Sequence, residues 1–268
     1  MSCLLPPEIL DLIIDQLHNE PTTLRACCLV SKSWIPRTRK HLFADVKFEA
    51  KELLLASWMK MFPNPSNSPA QHTRSLTIRR PVYLSFPDTP TDTEVTSCAR
   101  AFRNVVHLHF RCVFWADHKP RLVPFYGFSH TLRSLRLTLT SFQVFDLVCS
   151  FPLLEDLALI SLRFGPGLVE WIAPSTSPKL TGSLELNTSD GIRHAICRLL
   201  DFPDGLHFAE ITAVCFYGDS ESMAELVSRC SGTLKYLNLD CFPPGEFPPA
   251  GLHDRSTPYR SCGRRHAS

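Results

Sequence analysis

From residue 72 onward one short phrase keeps returning, and it limits the folds open to this chain more than any other feature. It appears as Arg74–Ile78, Val105–Phe110, Leu132–Leu137, Leu154–Leu159, Gly182–Leu186, Ala213–Phe216 and Leu234–Leu239. Apolar and polar residues alternate within it, the period of a half-buried strand. The phrases that start at Leu132, Leu154 and Leu234 read Leu-x-x-Leu-x-Leu in full. Stretches of helical period precede most of them: Thr93 to Phe102, Phe142 to Ser150, Asp190 to Leu200 with Ile192, Ala195, Ile196 and Leu199 on one side, and Ser220 to Cys230 with Met223, Leu226 and Val227.

Helix then strand, recurring at roughly 22 to 32 residues, is the signature of a leucine-rich-repeat solenoid, whose units bury their apolar faces only against neighbours. A closed α/β domain of alternating strands and helices is the rival, because periodicity does not determine topology. No asparagine ladder follows the strands, and the interval from Cys112 to His130 shows no clear helix. The alternation places Leu76, Leu108, Leu135, Leu157, Leu184, Val214 and Leu237 inward. Arg79, His107, His109, Arg111 and Arg136 then face outward from the early strands, and Asp156, Glu185, Asn187, Tyr236, Asn238 and Asp240 from the later ones. Such a face is basic at one end and acidic at the other. Guanidinium groups hold carboxylates or phosphates in paired bonds, so the expected target-binding residues are Arg79, His107, His109, Arg111, Arg136, Glu185, Tyr236 and Asn238.

The first fifty residues differ in kind. Pro6-Pro7-Glu8 opens a helix, since proline at the first helical position gives up only an amide that has no partner, and a carboxylate suits the positive helix start. Ile9, Leu10, Ile13, Ile14 and Leu17 fall on one broad apolar face. Pro21 is expected to stop this helix, with Thr22 or Thr23 capping the next. In the second helix Leu24, Cys27, Cys28, Leu29, Val30 and Trp34 are apolar over so many positions that the segment needs two neighbours. Ile35-Pro36 restarts a third helix, Arg37 to Leu42. Three helices in so short a stretch bury too little surface to be firmly stable alone, so a partner would complete them.

These residues resemble the F-box family. Leu5-Pro6, Glu8-Ile9-Leu10, Ile13, Leu17, Leu24, Leu29-Val30 and Trp34 stand in the family's register over about residues 4 to 45. With the repeat-like remainder, the chain resembles the large class of F-box proteins expanded in fungi. The resemblance implies a mainly α N-terminal three-helix F-box head followed by an α/β leucine-rich-repeat-like solenoid. It implies a substrate-recognition subunit of a cullin-RING (Skp-cullin-F-box) ubiquitin ligase, bound to a Skp-type adaptor, and through it a cullin, and to an unknown target protein. Adaptor contact is expected at Leu5, Pro6, Ile9, Leu10, Ile13, Leu17, Leu29, Val30 and Trp34, with no cofactor. The alternative is a non-catalytic leucine-rich-repeat scaffold that recruits no ligase.

The expected domains are 1–50 for the head, 51–71 for a linker helix and turn-rich junction, 72–242 for the repeat-like region and 243–268 for a disordered tail. Within them Asp45-Val46-Lys47-Phe48 reads as a strand or extended bridge, and Trp58 and Met59 as core on a helix from Lys51 to Phe62. The phrases stop directly after Leu239, which leaves an apolar edge open and suggests truncation relative to longer relatives.

Other functions find little footing. A net charge of +2, from 28 Lys and Arg against 26 Asp and Glu, supplies no field to gather nucleic acid or an acidic membrane. The start lacks a secretion signal and no apolar run approaches about 20 residues, so an intracellular chain, cytoplasmic or nuclear, is expected. Eleven scattered cysteines without paired two-residue gaps then read as reduced, buried hydrophobes. No Gly-x-Ser-x-Gly elbow, phosphate-cradling glycine loop or His-Glu-x-x-His is present, so no enzyme is expected. His107, His109, Cys112 and His118 are the closest group of metal-ligand types, but the strand alternation explains the first two as outward-facing, so no metal is expected.

Overall fold

The computed structural model describes residues 6–48, 55–79, 97, 99–111, 127–128, 130–138, 144–161, 176–187, 192–216 and 220–242. Eight strands, β1 (Asp45–Phe48), β2 (Ser75–Arg79), β3 (His107–Arg111), β4 (Ser134–Thr138), β5 (Asp156–Ile160), β6 (Ser183–Asn187), β7 (Glu210–Phe216) and β8 (Tyr236–Phe242), form one sheet in chain order. β1 pairs with β2 in parallel, and β4, β5, β6 and β7 each pair in parallel with the next.

This corrects the expected fold class. The chain is not a mainly α head followed by a separate leucine-rich-repeat-like solenoid but an α/β fold on an eight-stranded parallel sheet, and that sheet begins at Asp45, directly behind the third helix. The physical reason is that a recurring interval records the alternation of helix and strand without recording topology. The first strand is also only four residues, Asp-Val-Lys-Phe, and carries no leucine phrase. Nothing in its sequence marked it as the founding strand.

Contacts divide the chain into two compact units, Met1–Leu108 with Val123–Thr131, and His109–Leu122 with Leu132–Ser268. In the first unit, α1 (Pro7–Gln16), α2 (Pro21–Val30) and α3 (Ile35–Leu42) form the head, with a 3-10 turn over Lys32–Trp34. Pro21 does not stop a helix; it starts α2 at the position where a missing amide costs nothing, and Thr23 Oγ1 donates to Glu20 Oε2 at 2.9 Å. The unit's aromatic core gathers on Trp58 of α4 (Leu55–Met61). Its ring lies 5.9 Å from Phe43, 5.8 Å from Phe48, 4.9 Å from Phe62 and 5.4 Å from Phe102, in edge-on and tilted arrangements that suit aromatic quadrupoles. Trp58 is therefore core, as its place on the helix predicts.

In the second unit β4 to β7 alternate over most of their length, with Ile160 at the end of β5 buried beside Leu159, whereas on β8 Leu237 is half-buried and Leu239 exposed. Leu135, Leu137, Leu157, Leu159, Leu184, Leu186, Ile211 and Ala213 are buried, while Ser134, Arg136, Asp156, Ala158, Glu185 and Asn187 between them stay half-buried. A parallel sheet covered on both faces would not alternate in this way. Helices α5 (Val144–Cys149), α6 (Ile192–Leu200) and α7 (Ser220–Arg229) supply Phe145, Ile196, Leu199, Met223 and Leu226 to the same core. Val214 departs from expectation: it faces away from the core, in register with Asn187 and Asp240, and Ala213 points inward. The run Ala213-Val214-Cys215-Phe216 is apolar on both sides, so its own alternation carries no phase and the neighbouring strands decide it.

Five strands, β2, β3, β5, β7 and β8, start in a similar way. One carbonyl receives two successive amides from the following strand: Ala44 from Arg74 and Ser75, Arg74 from Val106 and His107, Arg133 from Glu155 and Asp156, Gly182 from Ala209 and Glu210, Ala209 from Lys235 and Tyr236. Gly182 is a close approach, since a Cβ there would collide with the Asp156 carboxylate, whose Oδ1 accepts from Ser183 N at 2.7 Å and Oγ at 2.8 Å.

Candidate functional site

The head carries the most exposed apolar side chains. On α1, Ile9 is 43%, Leu12 58% and Ile13 45% exposed, and these positions, three and four apart, share one helix face. At the end of α2, Leu29 is 89% and Val30 67% exposed. The head's own core is instead built from Ile14, Leu24 and Cys27. With so many apolar residues in α1 and α2 no single stripe holds them all, and the surplus faces solvent.

The expected adaptor residues divide accordingly. Ile9, Ile13, Leu29 and Val30 are exposed with Pro6, whereas Leu10, Leu17 and Trp34 are half-buried, and Leu5 lies outside the described residues. Leu12 was absent from the expected set. Its signal was its spacing, three from Ile9 and next to Ile13 on the same face.

Charge holds that face in place. Asp15, next to Ile14, accepts from Arg37 through both carboxylate oxygens, Nε to Oδ1 at 2.6 Å, and pairs with His41 Nε2 at 2.7 Å. Arg37 and His41 are four apart on α3, so one turn of α3 grips the end of α1. The hydrogen bond from Arg37, then that from His41, keeps the Asp15 carboxyl well below the usual carboxylate range. The same pair raises Arg37.

The open face of the sheet is the second surface the sequence singled out. In the first unit His107 is exposed, and the Arg79 side chain lies outside the described residues. In the second unit His109, Arg111 and Arg136 are half-buried on β3 and β4. Burial, then the charges of Arg136 and Arg111, push His109 down to about 4, so it is neutral near pH 7. Its Nε2 lies 3.2 Å from Thr138 Oγ1. Arg136 reaches across β5 to Glu185, Nη1 to Oε2 at 2.7 Å and Nη2 to Oε1 at 3.1 Å. Ala158, in register between them, is small enough to let the pair pass over it. Tyr236 is 54% exposed and Asn238 is half-buried.

Cys112 and His118 lie outside the described residues, and among the described residues no group of three metal-ligand side chains is assembled. Cys27, Cys28, Cys149, Cys197 and Cys230 are free thiols. Burial pushes Cys149 up to about 12, which keeps it protonated and unreactive, yet Cys197 is exposed and departs from the expected burial. Among the described residues no helix is long and apolar enough to cross a membrane.

In comparison with known proteins, no protein-family model matches the chain and no curated protein matches it.

Proposed function

We propose that the chain is a substrate-recognition subunit of a cullin-RING (Skp-cullin-F-box) ubiquitin ligase. Its head docks on a Skp-type adaptor, and the open face of the sheet holds a target protein. The observation that carries this reading is the exposure of Ile9, Leu12, Ile13, Leu29 and Val30 on a head whose own core is already made by Ile14, Leu24 and Cys27. Apolar side chains at the centre of a docking interface contribute most of its binding energy, whereas exposed to water they contribute nothing to the fold. In this reading the chain makes and breaks no bond and needs no cofactor; it supplies proximity, placing a target lysine beside the charged conjugating enzyme.

The test is co-expression with a Skp-type adaptor and affinity capture, comparing the wild-type chain with Ile13→Asp and Leu29→Asp. Both positions are exposed, so the variants keep the head folded. Capture by the wild type alone supports the reading. Equal capture by all three, or none by a folded wild type, removes it in favour of a non-catalytic scaffold that recruits no ligase.

A further inference from the structure

The open face of the second unit places three basic groups together and already contains a carboxylate held by one of them. His109 and Arg111 stand on β3 and Arg136 on β4. Burial first, and then the charges of Arg136 and Arg111, keep His109 neutral. Among the described residues Arg111 has no ion pair. Arg136 is different: it holds both oxygens of Glu185 in a fork, the geometry that suits a carboxylate best. Neighbouring strands lie about 4.8 Å apart, so Glu185, two strands away from Arg136, meets it only because Ala158 offers a methyl group in between. Both partners remain partly exposed, Arg136 at 43% and Glu185 at 36%, so a competing group can approach the guanidinium from solvent over Ala158. Asp156 by contrast accepts through Oδ1 from the Ser183 amide and hydroxyl.

We propose that this face binds an acidic peptide segment, with Arg111 and Arg136 as its carboxylate clamps and Glu185 as an internal carboxylate that fills the Arg136 fork until the segment displaces it. The inference rests on the target-holding half of the function proposed above and names the chemistry of the target. An extended chain fits better than a small molecule, because small-ligand sites are enclosed clefts, whereas here the half-buried residues form rows along a strand surface. A carboxylate is favoured because the fork already holds one. Glu185 sets a threshold: a lone carboxylate exchanges one ion pair for another with no gain, so a segment with several acids is selected over a single one.

The experiment is fluorescence anisotropy with the full-length chain and a labelled ten-residue peptide of alternating Glu and Gly. No adaptor is present, so failure here leaves the adaptor-capture result untouched. Glu185→Gln, shown folded by its melting curve, is expected to tighten binding by up to about five-fold, the range of a partly exposed ion pair. Arg111→Glu is expected to weaken it by about ten-fold or more through like-charge repulsion. Arg39→Glu, on the exposed side of α3, changes the net charge equally and is expected to leave binding unchanged. The proposal is overturned by any one of three results: no gain in Glu185→Gln, an equal loss in Arg39→Glu, or binding of a phosphoserine peptide of the same length without binding of the glutamate peptide.

Discussion

Aliphatic side chains meet opposite fates in the two regions of this molecule. In the second unit the leucines of β4 to β6, among them Leu135, Leu137, Leu159 and Leu186, are fully buried with half-buried Ser134, Arg136, Asp156 and Glu185 between them, and on the last strand Leu237 is half-buried and Leu239 exposed. In the head, Ile9, Leu12, Ile13, Leu29 and Val30 are open to water while, among the described residues of its three helices, Ile14, Leu24 and Cys27 are the buried apolar ones. One region spends its apolar residues on its own fold. In the other a share of them stays exposed, and Asp15, Arg37 and His41 tie its first and third helices together.

Substitutions that treat equivalent residues alike test this contrast directly. Leu159→Ala removes side-chain bulk from a filled interior and is expected to cost about 2 to 5 kcal/mol of stability, whereas Leu29→Ala is expected to stay within about 0.5 kcal/mol. Thermal melting of both variants measures the difference, and equal costs would end the distinction between regions. Ile13→Asp reverses the comparison: stability holds, and adaptor affinity falls by about 2 kcal/mol or more, roughly 30-fold, in a titration with purified adaptor.

Acid should act on the two regions over different ranges. The folded Asp15 carboxyl ionises below its usual value of about 3.9, so its stabilisation is present above that pH and is lost as pH falls through the folded value. Amide exchange in α1 and α3 is expected to quicken below about pH 4, and in Asp15→Asn to be quick already at pH 7. His109 has the opposite charge logic but the same direction. Its folded value of about 4 lies below the usual 6.5, so the unfolded chain takes up a proton first, and stability near β3 and β4 declines from pH 6.5 toward 4. His109→Gln is expected to flatten that decline in melting curves recorded between pH 7 and pH 4.

Most strand positions are legible in the sequence whereas the fold class is not, and the failures have physical causes. The six leucine-bearing phrases become strands because period-two alternation is imposed by the pleat itself, and the seventh, Ala213–Phe216, becomes one without it. Trp58 is buried because a large aromatic on an amphipathic helix has most to gain there. β1 was harder: four residues with two apolar positions have too little pattern to announce a place in a sheet. The phase of β7 was hidden in a run apolar on both faces, and it was supplied by β6 and β8 through register. In the head, apolar identity alone could not separate Ile14 from Ile13. They are adjacent, equally hydrophobic, and about 100° apart around one helix, and only the position of the neighbouring helices makes one core and the other surface. The Arg136–Glu185 fork lay beyond sequence reasoning because its partners are 49 residues apart and depend on the smallness of Ala158.

The shared carbonyl at these strand starts has a consequence for how such a chain can change over time. Because Ala44, Arg74, Arg133, Gly182 and Ala209 each align the two amides at the start of β2, β3, β5, β7 and β8, register at these five strands is set by the preceding strand and is not measured out by the chain between them. An insertion or deletion in a connecting segment can then lengthen or shorten the interval without shifting any residue to the wrong face. Divergence is free to accumulate in interval length and connecting sequence, while change at the strand starts themselves would be paid for in every strand that follows.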